Sequence, residues 1–135
     1  MQRAAAFIAL CLALIFGFDT PRAHGQCKGV NRGLSAERKA ALSPEIARQL
    51  GVKHVDLLKS FQFGDWNIYY VDTYQTDEAY VFYKRDPLQS HYVTLWSGAA
   101  REEEEGAIES WTIKNAPGIP GPLASCFAWH VTKER

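Results

Sequence analysis

The sequence predicts an α+β fold: an antiparallel β-meander of about four to five strands, with an N-terminal broken helix and a second helix before the last strand. Two observations carry this prediction. Residues 55–96 contain several β-branched and aromatic runs that are separated by short polar turns, which favours antiparallel pairing of successive strands. Segments with helix-start residues and one apolar face lie on either side of that region, which places helices against a sheet.

The first helix is predicted over residues 35–50, with a break. Ser35 is a good N-cap, and Ser43-Pro44 repeats a helix-start signal inside the segment. Gly51 follows the last apolar residue of the face and is a typical C-terminal stop.

The strands are predicted at residues 55–63, 66–71, 78–84 and 91–96. Gly64-Asp65 has the composition of a tight hairpin turn, and residues 72–77 form a polar turn. A second helix is predicted over residues 100–115, and residues 102–105, all Glu, complement the dipole of its first turn. The proline-rich segment at 116–122 then precedes a last predicted strand over residues 125–132.

Residues 1–25 are predicted to be a secretory signal peptide. Arg3 supplies the positive start, and residues 4–17 form an apolar run shorter than the roughly 20 residues that span a bilayer. Ala23-His24-Gly25 is a small-x-small cleavage pattern, so Gln26 is the expected mature N-terminus. The alternative is an uncleaved membrane anchor. Residues 26–135 are expected to form a single domain in the periplasm or outside the cell, without a stable membrane anchor after cleavage.

Two cysteines remain after cleavage, and an exported chain favours their pairing. We therefore expect a disulfide between Cys27 and Cys126. The alternatives are less favoured: Gln26 does not suit a lipid anchor at Cys27, and neither cysteine has a partner at metal-ligand or redox spacing.

Composition excludes some functions. The chain is formally neutral, so it has no basic excess for nucleic acid or anionic lipid. No nucleophile elbow, zinc-protease motif or glycine-rich phosphate loop is present. We accordingly predict no catalytic residues, no metal site and no cofactor, and the sequence leans against an enzyme.

Aromatic residues are dense between positions 61 and 96 and occupy both phases of the strands. One interpretation is an aromatic sheet surface that holds a protein or glycan of the cell envelope. The other is that helices cover one face while tyrosine hydroxyls reach solvent from the other. The candidate binding residues are Tyr69, Tyr83, Tyr92, Trp96, His91, His130 and Asp72.

The segments W-x-I-x-Y-V-D (residues 66–72) and Cys-Phe-Ala-Trp (residues 126–129) resemble small exported bacterial proteins of unknown function. That resemblance implies export and no particular activity.

The leading hypothesis is a non-catalytic binding protein that uses its aromatic sheet. A small hydrolase or metal-dependent enzyme built on His91, His130 and Asp72 is one alternative, and it requires the three side chains to converge. A structural envelope partner that pairs through an edge strand is the other. The oligomeric state stays open.

Overall fold

A computed structural model of the protein describes residues 25–134. The predicted signal peptide therefore lies, apart from its last residue, outside the described residues. Along the chain, the elements are α1 (Ala36–Leu50), β1 (Asp56–Phe63), β2 (Trp66–Asp72), β3 (Ala79–Tyr83), β4 (Thr94–Ser97), a 3₁₀ turn (Glu102–Glu104), α2 (Glu105–Asn115), α3 (Gly121–Trp129) and a π-helical turn (His130–Glu134). The predicted α+β class is confirmed.

The four strands form one antiparallel meander in the order β1-β2-β3-β4. Gly64 adopts a φ of +58° in the hairpin between β1 and β2, a backbone conformation that favours glycine. The register places Ser60 opposite Tyr69 and Gln62 opposite Asn67. These four side chains therefore belong to one face of the sheet.

Both faces of the sheet are covered, and this explains the aromatic residues in both strand phases. On one face, α1 packs Leu42 and Ile46 in a core cluster with Leu57, Val71 and other strand residues. On the opposite face, α2, α3 and the π-helical turn enclose a second core cluster. Its strand residues are Phe61, Trp66, Ile68, Tyr80 and Phe82.

The break predicted in the first helix is wrong, because α1 continues through Pro44. Proline removes a backbone hydrogen bond from a helix interior. Here the hydroxyl of Ser43 donates to the Lys39 carbonyl at 2.7 Å, and Leu42 and Ile46 are fully buried on either side of the proline. Packing against the sheet holds the helix together across this point.

The strand predicted over residues 125–132 is also wrong, because α3 and the π-helical turn occupy this part of the chain. Short apolar runs do not distinguish a buried helix from a buried strand by periodicity. Pro120 and Pro122 lie at the N-cap and in the first turn of α3, where proline is well tolerated. The apolar residues that resembled a strand are buried because this helix is enclosed on most sides.

Smaller differences concern the last strand and the second helix. β4 begins at Thr94, so His91 and Tyr92 lie in the loop before it. The glutamates at 102–104 form a 3₁₀ turn that leads into α2.

A disulfide joins Cys27 to Cys126, as the sequence predicts. Cys126 is fully buried in α3, so the bridge attaches the N-terminal segment to a helix and not to a strand. That segment also pairs with the outer side of β1, where Asn31 and Gln62 exchange two backbone hydrogen bonds of 2.8 Å. Within residues 25–134, no helix has the length and apolar character needed to cross a membrane.

Candidate functional site

A polar cavity of about 400 Å³ lies between the first turn of α1 and the sheet. We call it the α1–sheet pocket. Its lining includes side chains from α1, β1, β2 and the loop after β3. The pocket exists because the apolar residues of α1 pack over Leu57, Val71 and Val81, and only its first turn reaches the part of the sheet face that carries Ser60 and Asn67.

The floor of the pocket consists of Ser60 on β1 with Asn67 and Tyr69 on β2. These polar side chains are only 5%, 6% and 2% exposed, respectively. Asn67 Nδ2 donates to the Asp65 carbonyl at 3.1 Å, and the hydroxyl of Tyr69 lies 3.5 Å from Asn67 Oδ1. The hydroxyl of Ser60 has no hydrogen-bond partner within residues 25–134. No buried side-chain nitrogen or oxygen among the described residues lacks a partner, so this hydroxyl is accessible from the cavity and available to a bound molecule or to water.

One wall of the pocket is an ion pair between Arg38 and Asp86. Arg38 lies in the first turn of α1, where its backbone N–H donates to the capping hydroxyl of Ser35 at 3.1 Å. Asp86 belongs to the loop after β3, and its other carboxylate oxygen accepts the Leu88 N–H at 2.9 Å. The loop and the helix are thus held together across the pocket.

The ionisation states of the wall and floor follow from these contacts. Burial lowers the pKa of Arg38, but the hydrogen bond that Arg38 donates to the Asp86 carboxylate and further charge effects outweigh it and raise that pKa overall. Burial raises the pKa of Tyr69, although the nearby Arg38 guanidinium opposes the shift. At neutral pH the pocket therefore holds a charged guanidinium and a protonated phenol.

The rim carries two more charges, Asp65 and Arg85. Both residues are exposed, and neither forms an ion pair with any residue between 25 and 134. They lie beyond the same end of β2 and β3, since Asn67 of β2 is opposite Tyr83 of β3. The pocket opening thus has one carboxylate and one guanidinium that do not form an ion pair with each other.

The two tyrosines predicted to form a binding surface are buried in the α1 cluster. Tyr69 is 2% exposed and Tyr83 is fully buried, so the expectation of an exposed aromatic sheet surface at these residues is wrong. The cause is the covering of this face by α1 and the loop after β3. The hydroxyl of Tyr83 donates to Gln49 Oε1 at 2.9 Å, which ties β3 to α1. Of this pair, only Tyr69 lines the α1–sheet pocket.

The other two aromatic candidates lie on opposite faces of the sheet. Tyr92 is half-buried against the α1 cluster, and its backbone N–H donates to Gln49 Oε1 at 3.2 Å. Trp96 packs against the other cluster, with ring centroids 5.8 Å from Tyr80 and 5.6 Å from Phe127. The four predicted aromatics do not form one surface.

The structure does not bring His91, His130 and Asp72 together. His130 is fully buried on the α3 side, between the Tyr80 hydroxyl and the Glu134 carboxylate. His91 is exposed in the loop that packs against α1, with Nδ1 3.0 Å from the Tyr92 carbonyl. Asp72 accepts the backbone N–H of Tyr74 at 2.7 Å, which is ordinary turn chemistry. In residues 25–134 no three His, Cys, Asp or Glu side chains are grouped to hold a metal ion.

Sequence reasoning missed most of the residues that build the pocket. Arg38, Asn67 and Asp86 are widely separated in the chain and carry no recognisable motif. A signal was present in the strands: Ser60 and Gln62 alternate with Phe61 and Phe63, so β1 has one polar phase. That phase marks where the face beside α1 turns polar.

No protein-family model, curated protein or solved structure matched the chain. The functional interpretation therefore rests on the geometry of the pocket and of the sheet edge.

Proposed function

We propose that the protein is a non-catalytic binding protein of the periplasm or the extracellular space, and that it holds a small polar ligand in the α1–sheet pocket. The observation that carries the proposal is the floor of Ser60, Asn67 and Tyr69. These polar side chains are more than nine-tenths buried, yet they line a cavity of about 400 Å³. The volume falls within the range of small-molecule sites, and the mostly polar lining suits a polar ligand.

The composition of the pocket supports binding over catalysis. Tyr69 stays protonated at neutral pH, and Arg38 is engaged by Asp86. The lining contains no histidine, the most frequent general base, so Ser60 has no imidazole among the lining residues to activate it as a nucleophile. The catalytic alternative built on His91, His130 and Asp72 lacks support, because their contacts lie on different sides of the sheet.

An exported location is supported by the disulfide, since such bridges persist in oxidising compartments. The predicted signal peptide agrees with that location.

The proposal is tested by filling the cavity. Ser60→Leu places an apolar side chain on the pocket floor, and Ser97→Leu makes the same exchange on β4, outside the pocket. A panel of polar metabolites, including amino acids, dipeptides and mono- and disaccharides, is screened against ¹⁵N-labelled protein by NMR. We expect at least one compound to shift the signals of Asn67 and neighbouring residues, and Ser60→Leu alone to abolish that effect. Shifts that persist in Ser60→Leu, or a panel that shifts no pocket signal, would contradict the proposal.

A second candidate function is pairing with an envelope protein through β4. This strand is an edge of the sheet, and no strand within residues 25–134 pairs with its outer side. Residues 90–100 contain no Asp, Glu, Lys or Arg, although native edges are usually protected by charge or proline. The other edge has such protection, because β1 contains Lys59 and pairs at Gln62 with Asn31. An extended segment of a partner is the occupant that an edge strand accepts.

Pairing through the β4 edge is tested by placing a charged side chain on that strand. Leu95 of β4 is 38% exposed, and Leu95→Lys would hinder strand addition. Ile113→Lys is the matched control, because Ile113 is 51% exposed and belongs to α2 and not to β4. Cross-linking in the envelope should give an adduct with the wild type and with Ile113→Lys, and none with Leu95→Lys. Equal cross-linking in all three proteins would exclude the β4 edge.

A further inference from the structure

The charges of the α1–sheet pocket indicate which class of ligand it takes. The lining contains two guanidinium groups, Arg38 and Arg85, and two carboxylates, Asp65 and Asp86. A pocket with balanced charge does not favour a ligand that carries charge of one sign only. The positions of the charges are more informative than their sum.

The inner pair is already neutralised. Arg38 and Asp86 bind each other directly, and Asp86 also accepts the Leu88 N–H at 2.9 Å. The charges of the two groups therefore compensate each other before a ligand enters. The interior therefore offers uncharged polar groups, namely the hydroxyls of Ser60 and Tyr69 and the amide of Asn67.

The two charged side chains on the rim are available to a ligand. Asp65 and Arg85 lie on the rim and form no ion pair with another described residue. A carboxylate attracts an ammonium group, and the fork of a guanidinium matches a carboxylate in a bidentate hydrogen bond. The hydroxyl of Ser60, which forms no hydrogen bond within residues 25–134, adds an interior donor and acceptor that is accessible from the cavity.

We propose that the α1–sheet pocket binds a small zwitterion of the amino-acid or dipeptide class. Asp65 receives its ammonium group, Arg85 receives its carboxylate, and the polar floor contacts the uncharged part between them. This inference rests on the proposed binding function and adds the chemical class of the ligand. A sugar would form hydrogen bonds with the polar floor without using the rim charges. Removing a rim charge should therefore weaken the binding of a zwitterion and leave the binding of a sugar unchanged.

The experiment measures binding of alanylalanine, and of the free amino acids individually, by NMR titration of the ¹⁵N-labelled protein. N-acetyl-alanylalanine lacks the ammonium group, alanylalanine amide lacks the carboxylate, and the doubly blocked dipeptide lacks both. Asp65→Asn and Arg85→Gln remove one rim charge each. Asp77→Asn and Lys84→Gln are matched controls, because these exposed residues do not line the pocket.

We expect a zwitterion to shift pocket signals and to bind about three- to tenfold more weakly to each rim variant, with no change in the controls. Asp65→Asn should not affect N-acetyl-alanylalanine, and Arg85→Gln should not affect the amide. Equal binding of the doubly blocked dipeptide would overturn the zwitterion proposal and leave the polar pocket as a binding site. The zwitterion proposal would also be overturned, and the binding site retained, if only sugars of the wider panel bind and Ser60→Leu abolishes their binding. If no compound of either set shifts a pocket signal, both proposals fail.

Discussion

The hydroxyl of Tyr80 on β3 lies 2.9 Å from Nε2 of His130 in the C-terminal π-helical turn. The other ring nitrogen of His130 lies 2.7 Å from the Glu134 carboxylate, and Glu134 receives two hydrogen bonds from Arg32. A neutral imidazole that donates from Nδ1 and accepts at Nε2 satisfies both neighbours. This chain of contacts joins both ends of the described chain to the sheet.

The buried imidazole makes stability depend on pH. Burial lowers the pKa of His130, and the positive charges of Lys59 and Arg32 lower it further against the opposing effect of Glu134. The unfolded chain therefore binds more protons once the pH falls below about 6.5. The contribution of His130 is fully present above that pH and is lost as the pH falls toward its lowered pKa.

This prediction is checked by NMR titration of the imidazole signals and by urea unfolding between neutral and mildly acidic pH. The free energy of unfolding should decrease on acidification over this range, and the slope should be smaller in His130→Phe. His54→Asn, at an exposed position, serves as the control. A pKa for His130 at or above the usual value would contradict the prediction, whether or not the variant folds. Glu134 adds a further loss at lower pH: although burial raises its pKa, bonding to Arg32 and His130 lowers it overall.

Loss of the disulfide should destabilise the protein. Cys27 and Cys126 are 99 positions apart, and a loop of that length contributes about 4.7 kcal/mol in the chain-entropy model, with measured losses of about 2–5 kcal/mol. We expect Cys27→Ala/Cys126→Ala to lower the urea midpoint, and reductant to lower the midpoint of the wild type but not that of the double variant. An unchanged midpoint in the double variant would show that the bridge adds no stability.

Tyr83 should behave as a core residue whose hydroxyl contributes one hydrogen bond to stability. Tyr83→Phe loses the hydrogen bond to Gln49, which costs about 1 kcal/mol in the free energy of unfolding, since Gln49 Oε1 still accepts the Tyr92 N–H. Tyr83→Ala removes a fully buried ring and should cost about 3–5 kcal/mol. Denaturant unfolding distinguishes the two variants. A fully stable Tyr83→Ala protein would restore the idea that this side chain belongs to a surface.

The Arg38–Asp86 pair should matter more for the shape of the pocket than for stability. Both side chains are about one-third exposed, so the ion pair itself contributes less than about 1 kcal/mol. Asp86→Asn keeps an oxygen that can accept the Leu88 N–H, whereas Asp86→Ala loses it and should cost about 1 kcal/mol more. Equal unfolding free energies for the two variants would show that the turn does not need this acceptor. Both Asp86 variants should weaken the binding of any ligand whose binding Ser60→Leu abolishes.

Local signals determined much of the fold in advance. The first three strands, the turn at Gly64 and the C-terminal end of α1 at Gly51 follow from residues that are neighbours in sequence. The pairing of Cys27 with Cys126 followed from counting the cysteines left after the predicted signal peptide. Such features depend on backbone preference or covalent chemistry, which do not require knowledge of distant contacts.

Tertiary structure alone decided the identity of the C-terminal element and the position of the candidate site. The segment 121–129 would present apolar side chains in most directions whether it formed a helix or a strand. Its burial against β3 and α2 selects the helix. The aromatic side chains of both strand phases became core because helices cover both faces, a property that no single strand encodes. The α1–sheet pocket needs Arg38 from the first helix, Asn67 from β2 and Asp86 from the loop after β3. The sequence by itself determined these residue types, but their convergence is decided by where α1 stops covering the sheet.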